Sequence, residues 1–359
     1  MRILPFLLLL SICTFVNVYA GSPCPSRRDI YPCTCLNVKN GNRFTTIISC
    51  HRLSSSEALS ENVLASLKIL DIDQFFLYDS FWEAKDLSNQ MLPHNWITML
   101  KVTDYNIIDT KLSTCFACSE IKYTCENTYT KRFIVTNSSS SGNICDICRT
   151  DTNGNYSWTG CMSKLERFEF TDGGLEVLSR FLFPLPMRQL LVLNMTRNRI
   201  RTVEHGALQN MPNLKSLDLS HNMLKDVSSM FNKELKNLTL LNINWNRIKT
   251  IGTSLFKYLP TLNMFFLKSN LIVDVKEEEW KNVKSSVKVI DLTENPIHCV
   301  ECGIRWINHT FSAKTVLRGH CKTPAQYAGH SLRAKATLFA RKCDENGKLK
   351  KKTLFPLLE

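Results

Sequence analysis

The chain has 359 residues, of which 44% are apolar and 21% are charged, a balance that is typical of globular proteins and excludes wholesale disorder. Its 13 glycines and 12 prolines are too few for a collagen-like or linker-dominated chain. The formal net charge of +13 favours acidic partners such as glycans or membrane surfaces, but no DNA-binding motif accompanies it.

Residues 1–20 have the layout of a secretory signal peptide. Arg2 opens a positive start, residues 3–16 form an apolar run, and Ala20 ends a cleavage site. Cleavage would remove Cys13 and leave 14 of the 15 cysteines, an even number that fits disulfides in an oxidising compartment. No later apolar run is long enough to cross a bilayer. The sequence therefore predicts a secreted, extracellular product without a transmembrane anchor.

Acceptor sites for N-linked glycans support the same compartment. The pattern N-x-[ST] occurs five times after the signal peptide. The predicted glycosylation sites are Asn137, Asn155, Asn194, Asn237 and Asn308.

The first part of the mature chain is irregular. Residues 21–56 form a cysteine-rich segment that contains Cys24, Cys33, Cys35 and Cys50. Residues 57–110 carry two apolar patterns, which begin at Leu67 and Ile97 and lack the asparagine of the later repeats. We expect this stretch to hold degenerate repeats.

Residues 111–164 are interpreted as an insertion stapled by disulfides. The segment contains six cysteines: Cys115, Cys118, Cys125, Cys145, Cys148 and Cys161. Its two C-x2-C pairs also fit a zinc ribbon, but the signal peptide and the even local count favour three disulfides over a metal. Six cysteines allow 15 pairings, and the sequence does not choose among them.

Residues 165–294 contain regular repeats. The template L-x-x-L-x-L-x-x-N-x-[LI] matches five times from Leu190 onward, with starts 24, 24, 24 and 25 residues apart, and a weaker copy begins at Leu165. This is the leucine-rich repeat signature. It predicts an α/β solenoid, with a parallel sheet on the concave face and short helices or irregular segments on the convex face. Buried asparagines should form a ladder along it: Asn198, Asn222, Asn246, Asn270 and Asn295.

Residues 295–343 resemble the cysteine-rich C-terminal cap of extracellular leucine-rich repeat proteins. The resemblance rests on Asn295-Pro296, on Trp306 and on four cysteines, although two residues rather than one separate the first pair. It implies the pairs Cys299–Cys321 and Cys302–Cys343. The first segment resembles the matching N-terminal cap, which implies Cys24–Cys35 and Cys33–Cys50. Residues 344–359 form a basic and apolar tail, read as a flexible end or a surface tether.

The sequence contains no nucleophile paired with a base, no phosphate loop and no catalytic metal motif such as H-E-x-x-H, so we expect no enzyme activity, cofactor or metal. We therefore expect the protein to act by binding through its concave face. There, outward side chains on two neighbouring repeats form an apolar patch. Exposed aromatics at such positions indicate contact with a protein. The predicted partner-binding residues are Leu240, Asn242, Asn244, Trp245, Met264, Phe266 and Lys268. A glycan ligand is the alternative, and the insertion is a second candidate surface.

The opening from Cys24 to Cys35, Cys-Pro-x4-Ile-x-Pro-Cys-x-Cys, and the repeat architecture resemble a group of small secreted arthropod leucine-rich repeat proteins. That group is related to the non-catalytic subunit of a deep-sea shrimp luciferase, the Oplophorus luciferin 2-monooxygenase. The resemblance implies an alternative function: an accessory subunit that stabilises a secreted oxidoreductase. The insertion is not part of that pattern.

Overall fold

The computed structural model describes residues 24–53, 61–80, 100–111, 129–138, 162–180, 182–283, 285–344 and 348–350. In these ranges the chain winds into stacked turns that each add a strand to one sheet. In order across this sheet the strands are β1 (Cys33–Asn40), β2 (Arg43–His51), β3 (Asp71–Tyr78), β4 (Lys101–Ile108), β5 (Arg132–Thr136), β6 (Arg167–Thr171), β8 (Val192–Asn194), β10 (Ser216–Asp218), β11 (Leu240–Asn242), β12 (Met264–Phe266), β13 (Val289–Asp291) and β14 (Val316–Arg318). β7 (Val177–Leu178) pairs with β9 (Thr202–Val203) beside it.

Within the main sheet of the described residues, the first hairpin alone departs from parallel pairing. β1 and β2 are antiparallel, and every later neighbour in the main sheet pairs in parallel. Parallel strands need a return segment between them, and in a solenoid each turn supplies one. The predicted leucine-rich repeat solenoid is confirmed.

Helices in the described ranges are short and lie between the strands or in the caps. They are α1 (Arg27–Ile30), α2 (Glu61–Lys68), α3 (Leu255–Tyr258), α4 (Glu277–Trp280), α5 (Ile307–Thr310) and α6 (Leu332–Lys342). None of these helices has the length and apolar character that a bilayer span requires.

The core follows from alternation along each strand. Leu241 and Ile243, for example, are fully buried beneath the sheet, while Asn242 between them points outward. In the first turns the equivalent inward position is aromatic. Phe75, Tyr105 and Phe133 lie beside one another in register, with ring centroids 5.6 Å and 5.5 Å apart. These degenerate turns thus keep the packing of the regular repeats with larger side chains.

The predicted asparagine ladder is confirmed, and Asn222 shows how it works. Its buried Nδ2 donates to the carbonyls of Met195 (2.9 Å) and Leu219 (3.0 Å). Its Oδ1 accepts from the Ile200 N–H (2.9 Å). Each ladder asparagine therefore satisfies backbone groups of its own turn and of the turn before, which would otherwise be buried without partners.

Hydroxyl groups replace asparagine in the degenerate turns. Ser80 Oγ donates to the Tyr78 carbonyl (2.8 Å) and accepts from the Leu53 N–H (3.1 Å). Ser138 makes the same pair of bonds to Thr136 and to the Thr110 N–H, at 2.9 Å and 3.1 Å. A hydroxyl both donates and accepts, so it can bridge two turns as the amide does.

The segment interpreted as an insertion contains a turn of the solenoid. β5 (Arg132–Thr136) lies inside residues 111–164 and pairs in parallel with β4 and β6. The template missed this turn because Thr130 stands at its first leucine position and Ser138 at its asparagine position. At least this part of the segment is therefore not an excursion from the solenoid.

Disulfides close the caps at both ends. The bonded pairs are Cys24–Cys35, Cys33–Cys50, Cys299–Cys321 and Cys302–Cys343, which are the pairs that the cap resemblance implies. The six cysteines of the insertion lie outside the described residues, so their disulfides remain a prediction.

Candidate protein-binding surface

The structure brings the seven predicted binding residues together on the outward face of the sheet. β11 and β12 pair with Leu240 beside Met264 and Asn242 beside Phe266. Fully buried side chains alternate with them beneath the sheet. Six of the seven are half-buried and one, Trp245, is exposed. We call these seven residues the concave patch: Leu240, Asn242, Asn244, Trp245, Met264, Phe266 and Lys268.

Trp245 lies just beyond β11, at a position where the backbone is left-handed. Its φ is 54°, and the same conformation recurs with φ from 43° to 61° in Arg52, Asp79, Asp109, Asn137, Asp172, Arg197, His221, Ser269 and Glu294. A left-handed backbone is uncommon outside glycine and asparagine, and for a bulky residue it is an outlier. The solenoid turn imposes the conformation, whereas the choice of tryptophan is not explained by the turn.

Side chains from the neighbouring turns hold the indole in place. The His221 ring stacks on it with centroids 5.4 Å apart and planes 9° apart. Lys268 Nζ lies 5.9 Å from the indole centroid, within cation–π range, and also lies 2.9 Å from Glu294 Oε1. The row His221, Trp245, Lys268, Glu294 thus crosses successive turns and leaves Trp245 47% exposed.

Asn242 and Asn244 serve the sheet as well as the patch. Asn242 Nδ2 donates to Asp218 Oδ2 (2.8 Å), and its Oδ1 accepts from the Asn244 N–H (3.2 Å). Asn244 Oδ1 in turn accepts from the Lys268 N–H (2.6 Å). These amides fix the spacing between turns, so the contact area available to a partner comes mainly from the apolar members and Trp245.

The acid at the end of this row has a perturbed pKa. Ser269 Oγ and Lys268 both bond to Glu294, and these bonds lower the pKa of its carboxyl, with the serine bond the larger cause. A lowered folded-state pKa favours folding above the ordinary pKa of the carboxyl, and that contribution is lost as pH falls through the lowered value. The group is exposed, so the effect on stability is small.

These bonds predict the outcome of two substitutions. Ser269→Ala and Lys268→Met should each raise the pKa of Glu294, because each removes a group that stabilises the charged carboxylate. An NMR titration of the side-chain carboxyl measures both shifts. An unchanged pKa in either variant would show that the bond removed does not stabilise the carboxylate.

A second aromatic group on the same face was missed by sequence reasoning. On β3 the rings of Phe76 and Tyr78 stack 5.4 Å apart, and His51 of β2 stacks on Tyr78 at 4.8 Å. The predicted outward-facing residues lie only in the regular repeats, and β3 comes before them in the chain. The alternation in Asp71–Tyr78 was the available signal. Partial burial of the Tyr78 side chain raises the pKa of its hydroxyl.

The predicted glycosylation sites differ in their surroundings. Asn237 is exposed, whereas Asn194 is half-buried on β8 and its Nδ2 donates to Glu169 Oε2 (2.9 Å). A glycan at Asn194 would replace that bond and stand on the concave face. Asn137 is exposed, Asn308 is half-buried in α5, and Asn155 lies outside the described residues. Glycosylation therefore stays a prediction.

Comparison with known proteins agrees with the architecture. Residues 163–232 and 236–297 match the family model described as Leucine rich repeat. The second stretch contains the whole concave patch, and both stretches coincide with stacked turns of the sheet. A search of curated proteins finds no match for the chain.

Proposed function

We propose that the chain is a secreted, non-enzymatic leucine-rich repeat protein that binds an extracellular protein through its concave patch. Leucine-rich repeat domains generally mediate contacts between proteins and are typically not enzymes. The signal-peptide layout and the four cap disulfides support an extracellular location.

The observation that carries this proposal is Trp245. It is a large aromatic side chain at a left-handed backbone position, and much of its surface contributes nothing to the core. An asparagine there would satisfy the same backbone with less strain. Because the turn itself does not call for tryptophan, its exposed indole points to a contact, and tryptophan is enriched among interface hot spots.

The neighbourhood of Trp245 fits a protein partner. Leu240, Met264 and Phe266 give an apolar floor beside the indole, and Lys268 with Glu294 gives a polar border. An apolar centre with a polar rim is the usual anatomy of a protein interface.

A partner could be the catalytic chain of a secreted enzyme. The cysteine pattern of the opening, which resembles that of the arthropod group, is the observation that favours this accessory role. Stoichiometry distinguishes it from a recognition module: an accessory subunit should co-purify with an enzyme chain in fixed ratio.

The test is the pair Trp245→Asn and Phe266→Thr, made together. Loss of two such contacts should weaken capture of the native extracellular partner by roughly 30-fold or more, because one hot spot is worth about 2 kcal/mol. The melting temperature should stay within a few degrees, since neither residue is in the buried core. Quantitative mass spectrometry of captured protein from the native extracellular fluid measures the loss.

Arg197→Asn is the matched control. It changes the same left-handed position two strands away and should leave capture unchanged. If the double variant captures the partner as well as the parent protein does, the concave patch is not the binding site.

A further inference from the structure

Basic side chains form two rows along the flank that follows the carboxyl ends of the concave strands. The buried Ile200 separates Arg199 from Arg201, and the buried Ile248 likewise separates Arg247 from Lys249. The turn between them contributes one more exposed cation. We call these residues the basic flank: Arg199, Arg201, Lys225, Arg247 and Lys249.

The rows are in register because the turns are hydrogen-bonded to one another. The Met223 N–H donates to the Ile200 carbonyl (2.9 Å), and the Arg247 N–H donates to the Leu224 carbonyl (2.8 Å). A parallel bridge joins Asp226 to Thr250, the residues that follow Lys225 and Lys249. Adjacent turns therefore place their cations about 5 Å apart at the backbone.

These charges are not neutralised within the described part of the chain. All five side chains are exposed, and none of them forms an ion pair with a described acid. The nearest acid in sequence, Asp226, accepts bonds from the Ser228 N–H (2.8 Å) and Oγ (2.7 Å). The rows do not extend further along the solenoid. In the turn before them the equivalent position holds Glu176, and in the turn after them the equivalent positions hold Leu271 and Val273.

The arrangement suits a linear polyanion. Cations that repeat from turn to turn match a chain whose charges also repeat, and binding gains from counterion release. Within the two rows Met223 is the one apolar residue, and it is half-buried, so the rows offer a protein no anchoring pocket.

We propose that the basic flank binds a linear sulfated polysaccharide. This rests on the extracellular location proposed above, where such polymers occur, but not on the concave patch. The flank would hold the protein on an anionic matrix while the concave face stays open to a protein partner.

The test uses purified full-length protein and size-fractionated heparin as the probe. The triple variant Arg201→Gln, Lys225→Gln, Lys249→Gln should bind heparin roughly tenfold more weakly or worse, with a shallower dependence on salt, because fewer counterions are released. Isothermal titration at several salt concentrations measures both, and circular dichroism checks that the fold is kept.

A matched control removes equal charge from the opposite edge of the sheet. Lys215 and Lys288 directly precede β10 and β13, and Lys236 lies ahead of β11, so all three are at the amino ends of parallel strands. Lys215→Gln, Lys236→Gln, Lys288→Gln should leave most of the affinity.

Three results would overturn the proposal. Equal losses in the two triples would mean attraction by net charge alone, and an unchanged flank triple would mean that heparin binds elsewhere. Equally tight binding of polyglutamate of matched charge would assign the flank to acidic protein segments. The double variant at Trp245 and Phe266 should keep full heparin affinity, so this proposal and the concave patch can fail separately.

Discussion

Replacing Asn246 by alanine is expected to lower the free energy of unfolding by about 3 to 4 kcal/mol. The buried amide donates to the Leu219 (3.0 Å) and Ile243 (3.1 Å) carbonyls and accepts from the Leu224 N–H (2.9 Å). Alanine leaves the Leu224 N–H without its acceptor and removes one bond from each carbonyl, which keeps only its bond from Asn222 or Asn270. Each of the three lost bonds costs about 1 kcal/mol or more. Urea unfolding followed by circular dichroism measures the change.

Asn263→Ala provides the comparison. Asn263 is half-buried in the next turn, and its side chain has no hydrogen bond in the described part of the structure. Its replacement should cost less than about 1 kcal/mol. Similar losses for both variants would show that the ladder does not carry the stability assigned to it.

Removing the disulfide Cys302–Cys343 is expected to cost about 4 kcal/mol. The bond closes a loop with a sequence separation of 41 residues, which restricts the unfolded chain strongly. It also fixes the end of α6, whose Leu332 and Phe339 cover the last turns of the core. The paired change Cys302→Ala, Cys343→Ala should therefore loosen the cap, as hydrogen exchange in α6 and urea unfolding would show.

Cys24→Ala with Cys35→Ala is the matched control at the other end. That loop spans only 11 residues, so its loss should cost about 3 kcal/mol and leave exchange in α6 unchanged. A C-terminal double variant as stable as the parent protein would contradict the assigned role of the cap.

The sequence predicted the regular repeats well for a physical reason. A buried turn needs a side chain that can both donate and accept hydrogen bonds. Asparagine meets this requirement, and its recurrence at a fixed period is visible in the sequence. Where hydroxyls of Ser80, Thr110 or Ser138 meet this need, the turn matches the template only weakly. The turn of β5 also has Thr130 in place of the first leucine, so it was interpreted as part of an insertion. The copy that begins at Leu165 is weak because Gly173 stands at its asparagine position, where a Cβ would lie 2.0 Å from the Phe170 ring.

The candidate site was predictable in part. Alternation along each strand places Leu240, Met264 and Phe266 on the outward face without any structure. The stacking of His221 on Trp245 and the cation–π contact of Lys268 depend on the register between turns and on side-chain rotamers. The basic flank was missed for a similar reason, since its residues are neighbours only once the turns are stacked.

The most direct measurement of the concave interface is hydroxyl-radical footprinting of the protein alone and in complex with its partner from the native secretion. The account predicts strong protection of Trp245, Met264 and Phe266, with little change at the exposed Tyr31. Unchanged labelling of those three residues, with protection elsewhere on the chain, would contradict it and place the partner on another surface.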